Sequence, residues 1–343
     1  MTSDSPKDRY SRQELFPGIG KEGQTKLGQS RVTLIGCGAL GSHIAQHLVR
    51  AGVGFVRVCD RDYVELNNLQ RQVLFDEKDV AEHLPKVVAA AQKLGVINSE
   101  VEIDPRVVDV SPANVMSLID GADVVLDGTD NFVTRFLLND ACVQASIPWV
   151  YGGCVGSHGM VLPITPGETP CFACFLPELP DPGTAATCDT AGVLGPAIGV
   201  VSALQSSEAI KMLVGAKDRQ LEGLLTVDLW RNDYRPLKLK RNPDCDVCGK
   251  GNYRYLHSEI EELASVLCGR NAVQISPARS AQLDLDPIAT RLASHGDVLQ
   301  NAYLLRFTQP ELELTLFPDG RAVIKGTDDP SVARAHYTKY VGN

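Results

Sequence analysis

The sequence has 343 residues, 44% of them hydrophobic and 22% charged, which fits a folded globular protein and excludes a mainly disordered chain. Lysine and arginine number 33 and aspartate and glutamate 42, so the net charge is −9, and we expect no non-specific binding to nucleic acid or anionic membranes. The polar first residues and the absence of an unbroken apolar stretch of roughly 20 residues predict no signal peptide and no membrane span. A cytoplasmic location is expected, so the ten cysteines serve metal binding, catalysis or packing.

Apolar β-branched runs alternate with helical patterns through the first part of the chain. Strands are expected over 31–36, 55–60, 124–127 and 149–153. Helices are expected over 39–51, 85–94 and 131–145, and another beginning at Ser111-Pro112. This alternation predicts an α/β fold with a Rossmann-like, mostly parallel sheet and helices on both of its faces.

The second part of the chain changes character twice. Residues 163–190 contain six prolines and predict a long irregular loop that something must anchor. A buried helix is expected over 195–215. From about residue 252 the pattern predicts a helix, a strand, a helix, a hairpin over 311–325 and a last helix at Asp329-Pro330. We therefore place domains at 1–250 and 251–343, the second a small α+β appendage of unknown role.

A glycine-rich loop follows the first predicted strand and opens a predicted helix. Its sequence is G-x-G-x-x-G, with glycines at Gly36, Gly38 and Gly41. Glycines permit a tight turn and let a phosphate approach the N–H groups at the positive end of the helix. Asp60 ends the next strand, where a carboxylate can bind a ribose hydroxyl. The pattern predicts a nucleotide site, and its alternative is a glycine turn needed only for helix–strand packing.

Two cations and a carboxylate extend this prediction. Arg71 lies in the run after the second strand, and Lys86 opens the next helix. Two cations near a phosphate loop suit a triphosphate better than the pyrophosphate of a dinucleotide. Asp130, in the sequence D-G-T-D-N, follows a buried strand and is a candidate Mg²⁺ ligand. The alternatives are solvated surface charges for Arg71 and Lys86, and a helix N-cap for Asp130, a role that Asn131 fills equally well.

Four cysteines form two C-x-x-C pairs, Cys171 with Cys174 and Cys245 with Cys248. Two such pairs are the usual ligands of a closed, tetrahedral, structural zinc site. A zinc ion here would anchor the proline-rich loop. Cys188 lies just before the long helix, where it is either a nucleophile with a lowered pKa or a small residue in a turn.

Taken together, these motifs resemble the ThiF/MoeB/HesA family, relatives of the ubiquitin-activating enzymes, over residues 8–250. The resemblance is carried by Tyr10-Ser11-Arg12-Gln13, the Gly36–Gly41 loop, Asn68-Leu69-Gln70-Arg71-Gln72, Pro85-Lys86, Asp127–Asn131, the two cysteine pairs and Thr187-Cys188. It implies an ATP-dependent adenylyltransferase that activates the C-terminal glycine of a ubiquitin-like sulfur-carrier protein ending in Gly-Gly. The pathway would be molybdopterin, thiamine or related biosynthesis.

The resemblance also implies roles for individual residues. The loop at Gly41 would hold the ATP phosphates, and Asp60 the ribose. Contacts to the triphosphate would come from Asn68, Arg71 and Lys86, with Asp130 serving Mg²⁺ and the four paired cysteines binding zinc. In the family an arginine matching Arg12 reaches into the ATP site of the partner subunit, which implies a homodimer.

Sulfur transfer is the part of the family chemistry that varies most. Cys188 matches a cysteine that in some members bonds covalently to the carrier and in others is dispensable. Some relatives carry a C-terminal rhodanese domain with a persulfide cysteine. Here Cys268 is the only cysteine after residue 250, and no anion-binding loop follows it. We therefore expect the sulfur to come from a separate sulfurtransferase or cysteine desulfurase.

Three other interpretations remain open at this point. A family member could adenylate a small molecule, a tRNA base or a peptide carboxylate instead of a carrier. A nicotinamide-dependent oxidoreductase would explain the glycine loop and Asp60 but would leave Arg71, Lys86 and the cysteine pairs unused. A zinc-organised binding module without catalysis would have no physical reason to keep Arg71, Lys86 and Asp130 together.

Overall fold

The computed structural model describes residues 9–180, 188–258, 263–267, 271–277 and 282–342, with the side chains of 188–189 and 263–267 outside the description. The chain divides into two compact units, Met1–Ser258 and Glu259–Asn343. Each is treated by itself below.

The first unit is built on an eight-stranded sheet in the order β3-β2-β1-β4-β5-β6-β7-β8. Its strands are β1 Arg31–Ile35, β2 Phe55–Asp60, β3 Glu102–Val107, β4 Val124–Asp127, β5 Trp149–Val155, β6 His158–Ile164, β7 Leu224–Asp228 and β8 Asp233–Leu237. The five neighbouring strands β3, β2, β1, β4 and β5 run parallel. Strands β6, β7 and β8 each pair antiparallel with the strand before them. The predicted α/β fold with a parallel-dominated sheet is confirmed.

Helices cover both faces of this sheet. They are α1 Ser11–Glu14, α2 Gly20–Gln29, α3 Ala39–Ala51, α4 Glu77–Ala81, α5 Lys86–Ile97, α6 Val115–Ile119, α7 Phe132–Ala145, α8 Phe172–Phe175, α9 Cys188–Ala191 and α10 Gly195–Val214, with 3-10 turns at Leu66–Asn68 and Lys217–Arg219. One apolar core packs α3, α5 and α10 on one face, and a second packs α6, α7 and α8 on the other. The helix expected to start at Ser111-Pro112 begins instead at Val115, because Asn114 takes the N-cap position.

Helix α10 is the one described helix that is long and apolar enough to cross a membrane. In this fold its buried residues, including Ala197, Ile198 and Val201, belong to the first core. It packs against α3 and against strands β5 and β6. Its apolar character therefore has a place inside the first unit. Gly215, in the left-handed conformation with φ of 84°, ends it.

The second unit is a six-stranded antiparallel sheet in the order β11-β12-β13-β14-β10-β9. Its elements are β9 Leu263–Leu267, β10 Ala272–Ser276, α11 Leu285–Leu292, β11 Asp297–Gln300, β12 Leu305–Gln309, β13 Leu312–Leu316, β14 Ala322–Lys325 and α12 Pro330–Tyr340. The hairpin near 311–325 and the helix after Asp329, its N-cap, occur as expected. The prediction of a single strand before the hairpin is wrong, since β9 and β10 pair antiparallel and β11 and β12 also precede it. The helix expected from about residue 252 is not present over 252–258, and the next part of that prediction, 259–262, lies outside the described residues.

Three glycines hold two segments of the first unit in direct backbone contact. Gly36 ends β1 with φ of 91°, a conformation that L side chains rarely adopt. A Cβ atom on Gly41 would lie 1.9 Å from the Gly36 carbonyl oxygen, and one on Gly128 would lie 2.4 Å from the same oxygen. Backbone atoms cannot swing aside as a flexible side chain can. The loop after β1 and the end of β4 therefore meet only because these positions lack side chains.

We expect Gly41→Ala to destabilise the first unit strongly, because its new methyl group collides with backbone. The loss should be about 2–4 kcal/mol in the free energy of unfolding, typical of overpacking and backbone strain. Gly95→Ala is the matched control: it lies within α5, a Cβ there meets nothing within 4 Å, and better helix propensity should stabilise the protein slightly. Urea denaturation of both variants decides the point, and equal stabilities would contradict the contact.

Candidate functional site

The glycine loop lies at the carboxyl ends of β1, β2 and β4. The Cys37 N–H donates to Asp60 Oδ2 at 2.6 Å, and the Asp62 N–H donates to Asp60 Oδ1 at 2.8 Å. Desolvation raises the pKa of Asp60, and nearby Lys86 offsets part of that rise. Asp60 is thus brought to the loop, as the spacing predicted. One of its structural roles is to hold the N–H group of Cys37 in the loop.

Lys86 reaches this loop from the start of α5. An isolated antiparallel bridge joins Tyr63 to Pro85, and the Lys86 N–H donates to the Asp62 carbonyl oxygen at 2.9 Å. The Lys86 side chain is only 5% exposed, and its Nζ lies 3.0 Å from Asp62 Oδ2. A buried ammonium needs such a partner, since its desolvation is costly. No sequence motif marked Asp62, although it stands only two residues after Asp60.

The segment from Leu66 to Gln72 lies beside the loop. Asn68 is buried, and its side-chain oxygen accepts the Glu65 N–H in a capping box of the 3-10 turn. Arg71 is half-buried, with Nη1 donating to the Asn67 carbonyl oxygen at 2.8 Å. Gln72 is 4% exposed and lies near Gly38, where a Cβ would meet its Nε2 at 3.8 Å.

Gln72 adds an observation that its sequence position did not supply. Its Oε1 is buried and has no hydrogen-bond partner among the residues that the structure describes. Buried polar atoms are normally satisfied, so an orphaned acceptor next to this loop points to a ligand that donates a hydrogen bond. We add Gln72 to the candidate site.

The two aspartates of the D-G-T-D-N sequence have different environments. Asp127 is fully buried, with Oδ2 3.1 Å from Arg135 Nε and Oδ1 accepting both the N–H and the hydroxyl of Thr129. Asn131 caps α7, accepting the Thr134 N–H at 2.9 Å. The cap role is therefore taken by Asn131, and Asp130 is left exposed at the mouth of the site. Arg135, which no motif marked, holds Asp127 in place.

Arg12 is not brought to this group of residues. Arg12 is exposed on α1. In the same helix, Gln13 Nε2 donates to the Ala51 carbonyl oxygen at 2.9 Å, which holds α1 at the far end of α3. Helix α3 has 13 residues and starts beside the glycine loop, so its two ends are about 20 Å apart. Arg12 therefore lies far from the loop of its own chain.

Cys188 begins α9, and its side chain falls outside the described residues. The backbone after it is fixed beside the β5–β6 turn, with the Gly156 N–H donating to the Gly192 carbonyl oxygen at 2.9 Å. Gly195, at the start of α10, approaches the Gln70 backbone. The segment containing Cys188 thus borders the same edge of the sheet as the candidate site.

The four paired cysteines converge as predicted. Their sulfur atoms all lie within 4.8 Å of one another, with separations of 3.9 Å (Cys171–Cys174), 3.7 Å (Cys171–Cys245) and 3.5 Å (Cys174–Cys248). Zinc–thiolate bonds of about 2.3 Å in a tetrahedron require sulfur separations of about 3.8 Å, so the cluster fits Zn²⁺. Asn139 supports it, accepting the Phe172 N–H at 2.9 Å and pointing Nδ2 at Cys171 Sγ.

Burial and the neighbouring thiols raise the pKa of Cys171. A bound dication would reverse that preference and stabilise the thiolate form. The cluster joins two segments 74 residues apart in the chain, α8 with its proline-rich flank and the end of the first unit. With four cysteine ligands, a bound zinc ion would tie these segments together and have no open coordination position.

We expect the protein to contain about one zinc ion per chain and Cys174→Ser to lose it, because three thiolates no longer complete a closed site. Elemental analysis and a thermal melt of the purified variant measure both effects, and Tm should fall with the metal. Cys142→Ser is the control: that thiol is fully buried in α7, outside the cluster, and this variant should keep its zinc. Equal zinc content in both variants would refute the site.

Comparison with known proteins was consistent with this geometry. The ThiF family model matches residues 10–247. The sulfur carrier protein ThiS adenylyltransferase of Bacillus subtilis is 45% identical over 338 residues, which is 97% of this chain and 99% of that protein. The SAMP-activating enzyme E1 of Haloferax volcanii is 41% identical and covers 71% of this chain and 89% of its own length.

Solved structures agree on the fold. Escherichia coli MccB, in a crystal structure with ATP, superposes with a TM-score of 0.62 at 25% identity and covers 70% of this chain and 74% of that one. The match of the family model to more than half of the sequence and the full-length relative are decisive: this chain belongs to the ThiF family.

Proposed function

We propose that this protein uses ATP to adenylate the C-terminal glycine of a ubiquitin-like sulfur-carrier protein. One observation carries the proposal: a sulfur carrier protein ThiS adenylyltransferase matches 97% of this chain at 45% identity, and this chain covers 99% of it. The second unit is included in that match. Neither a lone Rossmann-type loop nor a zinc module accounts for so complete a correspondence. The pathway we propose is thiamine or molybdopterin biosynthesis.

The arrangement of the site suits attack of a carboxylate on the α-phosphorus of ATP. A C-terminal carboxylate is ionised at neutral pH, so no general base is required. The new bond forms between a carboxylate oxygen and the α-phosphorus. The bond between the α-phosphorus and the oxygen that bridges to the β-phosphorus breaks, and pyrophosphate leaves with that oxygen. Lys86, Arg71 and the N–H groups of the glycine loop neutralise the growing negative charge, while the side-chain amides of Gln72 and Asn68 orient the nucleotide.

Asp130 is the residue that we propose for a magnesium ion. Of the two aspartates here, Asp127 is already committed to Arg135 and Thr129, whereas Asp130 is exposed. Magnesium in nucleotide sites is typically held by one or two carboxylates together with substrate phosphates, so a single available carboxylate fits. When bound, the ion would supply positive charge to the leaving pyrophosphate.

We further propose a homodimer in which Arg12 of one subunit completes the ATP site of the other. The distance of about 20 Å along α3 prevents Arg12 from serving its own loop. The exposed side chains of Leu15 and Phe16, at 70% and 61%, lie just after Arg12 and would be covered by a second copy.

The sulfur is proposed to come from a separate sulfurtransferase or cysteine desulfurase. The Sus scrofa relative, 35% identical, is named an adenylyltransferase and sulfurtransferase, and this chain covers 67% of its length. Cys188 is the candidate for a covalent link to the activated carrier, given its segment's place beside the site edge. The eight cysteines whose side chains the structure describes form no disulfide with one another, which is in keeping with the cytoplasmic location that we propose.

Carrier-dependent exchange between ATP and labelled pyrophosphate tests the reaction. With Mg²⁺ and a panel of Gly-Gly-ending proteins that includes ThiS, we expect exchange with at least one carrier. Asp130→Ala should lower the rate by at least about 100-fold, since it removes an electrostatic contact made in the transition state. Asp120→Ala, an exposed aspartate before β4, is the matched control and should retain full exchange.

The other outcomes are equally informative. Protein that binds ATP and zinc but exchanges with no carrier would redirect the search to peptide carboxylates or small molecules. Tight NADH binding without ATP binding would support an oxidoreductase instead. Full exchange by Asp130→Ala would remove that residue from the proposed mechanism.

Mixing two inactive variants tests the shared site. Arg12→Ala and Lys86→Ala should each be inactive, but a mixed dimer contains one site with both native residues. Random reassociation of equal amounts should therefore restore about one quarter of the parent exchange rate. A mixture of Lys86→Ala and Asp130→Ala should recover no exchange activity. Both residues serve the site of their own chain, so every site in a mixed dimer lacks one of them. Absence of recovery in the first mixture, once mixed dimers are shown to form, would contradict sharing.

A further inference from the structure

We propose that Arg135 is a positioning residue of the adenylation site, which fixes the loop between β4 and α7 so that Asp130 presents its carboxylate to magnesium bound with ATP. We call residues 128–131 the aspartate loop. The inference rests on the proposed function and deepens it, because it names the group that holds the proposed magnesium ligand in place. Three observations support it.

The first observation is that the Arg135 guanidinium joins three backbone segments. Its Nε donates to Asp127 Oδ2 at 3.1 Å, at the end of β4. Its Nη2 donates to the Thr129 carbonyl oxygen at 2.7 Å and to the Gly152 carbonyl oxygen in β5 at 3.3 Å. Because a guanidinium is planar, its donors point in fixed directions. One side chain therefore connects the end of β4, the aspartate loop and β5.

The second observation is that this guanidinium is itself held in place. The Arg135 side chain is only 8% exposed, and its Cζ lies 5.4 Å from the ring centroid of Phe132 and 5.2 Å from that of Tyr151. Burial alone would lower the pKa of Arg135, but Asp127, followed by Tyr151 and Asp130, raises it. The group is therefore a fixed cation, and Asp130 is close enough to interact with it.

The third observation is that the backbone is fixed on both sides of Asp130. The N–H and the hydroxyl of Thr129 donate to Asp127 Oδ1 at 2.8 and 2.7 Å, and its carbonyl oxygen accepts from Arg135. On the other side, Asn131 caps α7. The Asp130 side chain between these two anchored residues is exposed. Its carboxylate is thus directed by the loop and open to a ligand.

A role in stability alone explains this arrangement less well. Replacing a buried ion pair by apolar residues of similar volume is often neutral or stabilising, so the core itself has little need of Arg135. The bond to the Thr129 carbonyl oxygen acts on the residue next to Asp130. Groups that hold metal ligands in position typically contribute about 10–100-fold to metal affinity or activity.

Direct binding of a phosphate by Arg135 also fits less well. Its Nε and Nη2 already donate to protein oxygens, and the side chain is almost fully buried. A phosphate at these two nitrogens would have to displace Asp127 or the Thr129 carbonyl oxygen. Action through the aspartate loop is therefore the role that the contacts favour.

Equilibrium binding of ATP, with and without added Mg²⁺, tests the inference without any carrier. No chelator is used, so that zinc is retained. Arg135→Lys keeps the charge beside Asp127 but replaces the fork of donors by a single nitrogen. We expect it to weaken ATP binding in Mg²⁺ by about ten-fold or more and to leave binding without Mg²⁺ unchanged.

Arg57→Lys is the matched control. Arg57 has the same pattern of contacts, with Nε donating to Asp104 Oδ2 at 2.8 Å and Nη1 to the Leu118 carbonyl oxygen at 2.7 Å. It lies in β2 and holds α6, not the aspartate loop. This variant should bind ATP as the parent does under both conditions.

A double variant separates positioning from a general loss of structure. If Arg135 acts through Asp130, Arg135→Lys combined with Asp130→Ala should bind ATP in Mg²⁺ no more weakly than Asp130→Ala alone. Thr129→Val is a milder variant in case Arg135→Lys does not fold. It removes only the hydroxyl bond to Asp127 and should produce a smaller loss that again requires Mg²⁺.

The outcomes separate the two proposals. If Arg135→Lys folds and binds ATP in Mg²⁺ as tightly as the parent, the positioning role is overturned, while adenylation is still decided by pyrophosphate exchange. Losses that add in the double variant, or that are equal without Mg²⁺, also overturn it. A parent protein whose affinity for ATP does not rise with Mg²⁺ overturns the roles of both Asp130 and Arg135. Failure of the parent to bind ATP at all overturns the proposed function as well.

Discussion

The candidate site depends on a backbone contact in which three glycines leave no room for a side chain. Gly36, Gly41 and Gly128 bring the end of β1, the start of α3 and the end of β4 together. That contact sets the loop's N–H groups beside the sequence containing Asp130. Because a missing Cβ is what permits the approach, the same glycines serve the fold and leave the loop open to phosphate.

Charge is distributed so that an acidic protein can receive an anionic nucleotide. Lys86 is held by Asp62 and Arg135 by Asp127, both in largely buried surroundings. Removing one partner of such a pair is costly, so the pairs fix the cations in place before any ligand arrives. The net charge of −9 therefore does not by itself describe the site, where Lys86 and Arg135 stand at fixed positions.

The cluster of four cysteines extends this organisation away from the glycine loop. The four cysteines join segments of the first unit that are far apart in sequence and so constrain the proline-rich flank.

The sequence by itself determined the elements and residues whose signals are local. Periodicity located β4 and α3 to the residue, and the spacing of the glycines, Asp60 and the cysteine pairs marked their sites because these motifs are read along the chain. The tertiary structure alone decided which residues are partners across the chain: Asp62 with Lys86, Arg135 with Asp127, and Gln72 with the loop. It also separated Asp130 from its neighbour Asn131, the true helix cap, and showed that β9 and β10 pair antiparallel in the second unit. Such pairings arise from packing between elements distant in sequence, and no local pattern encodes them.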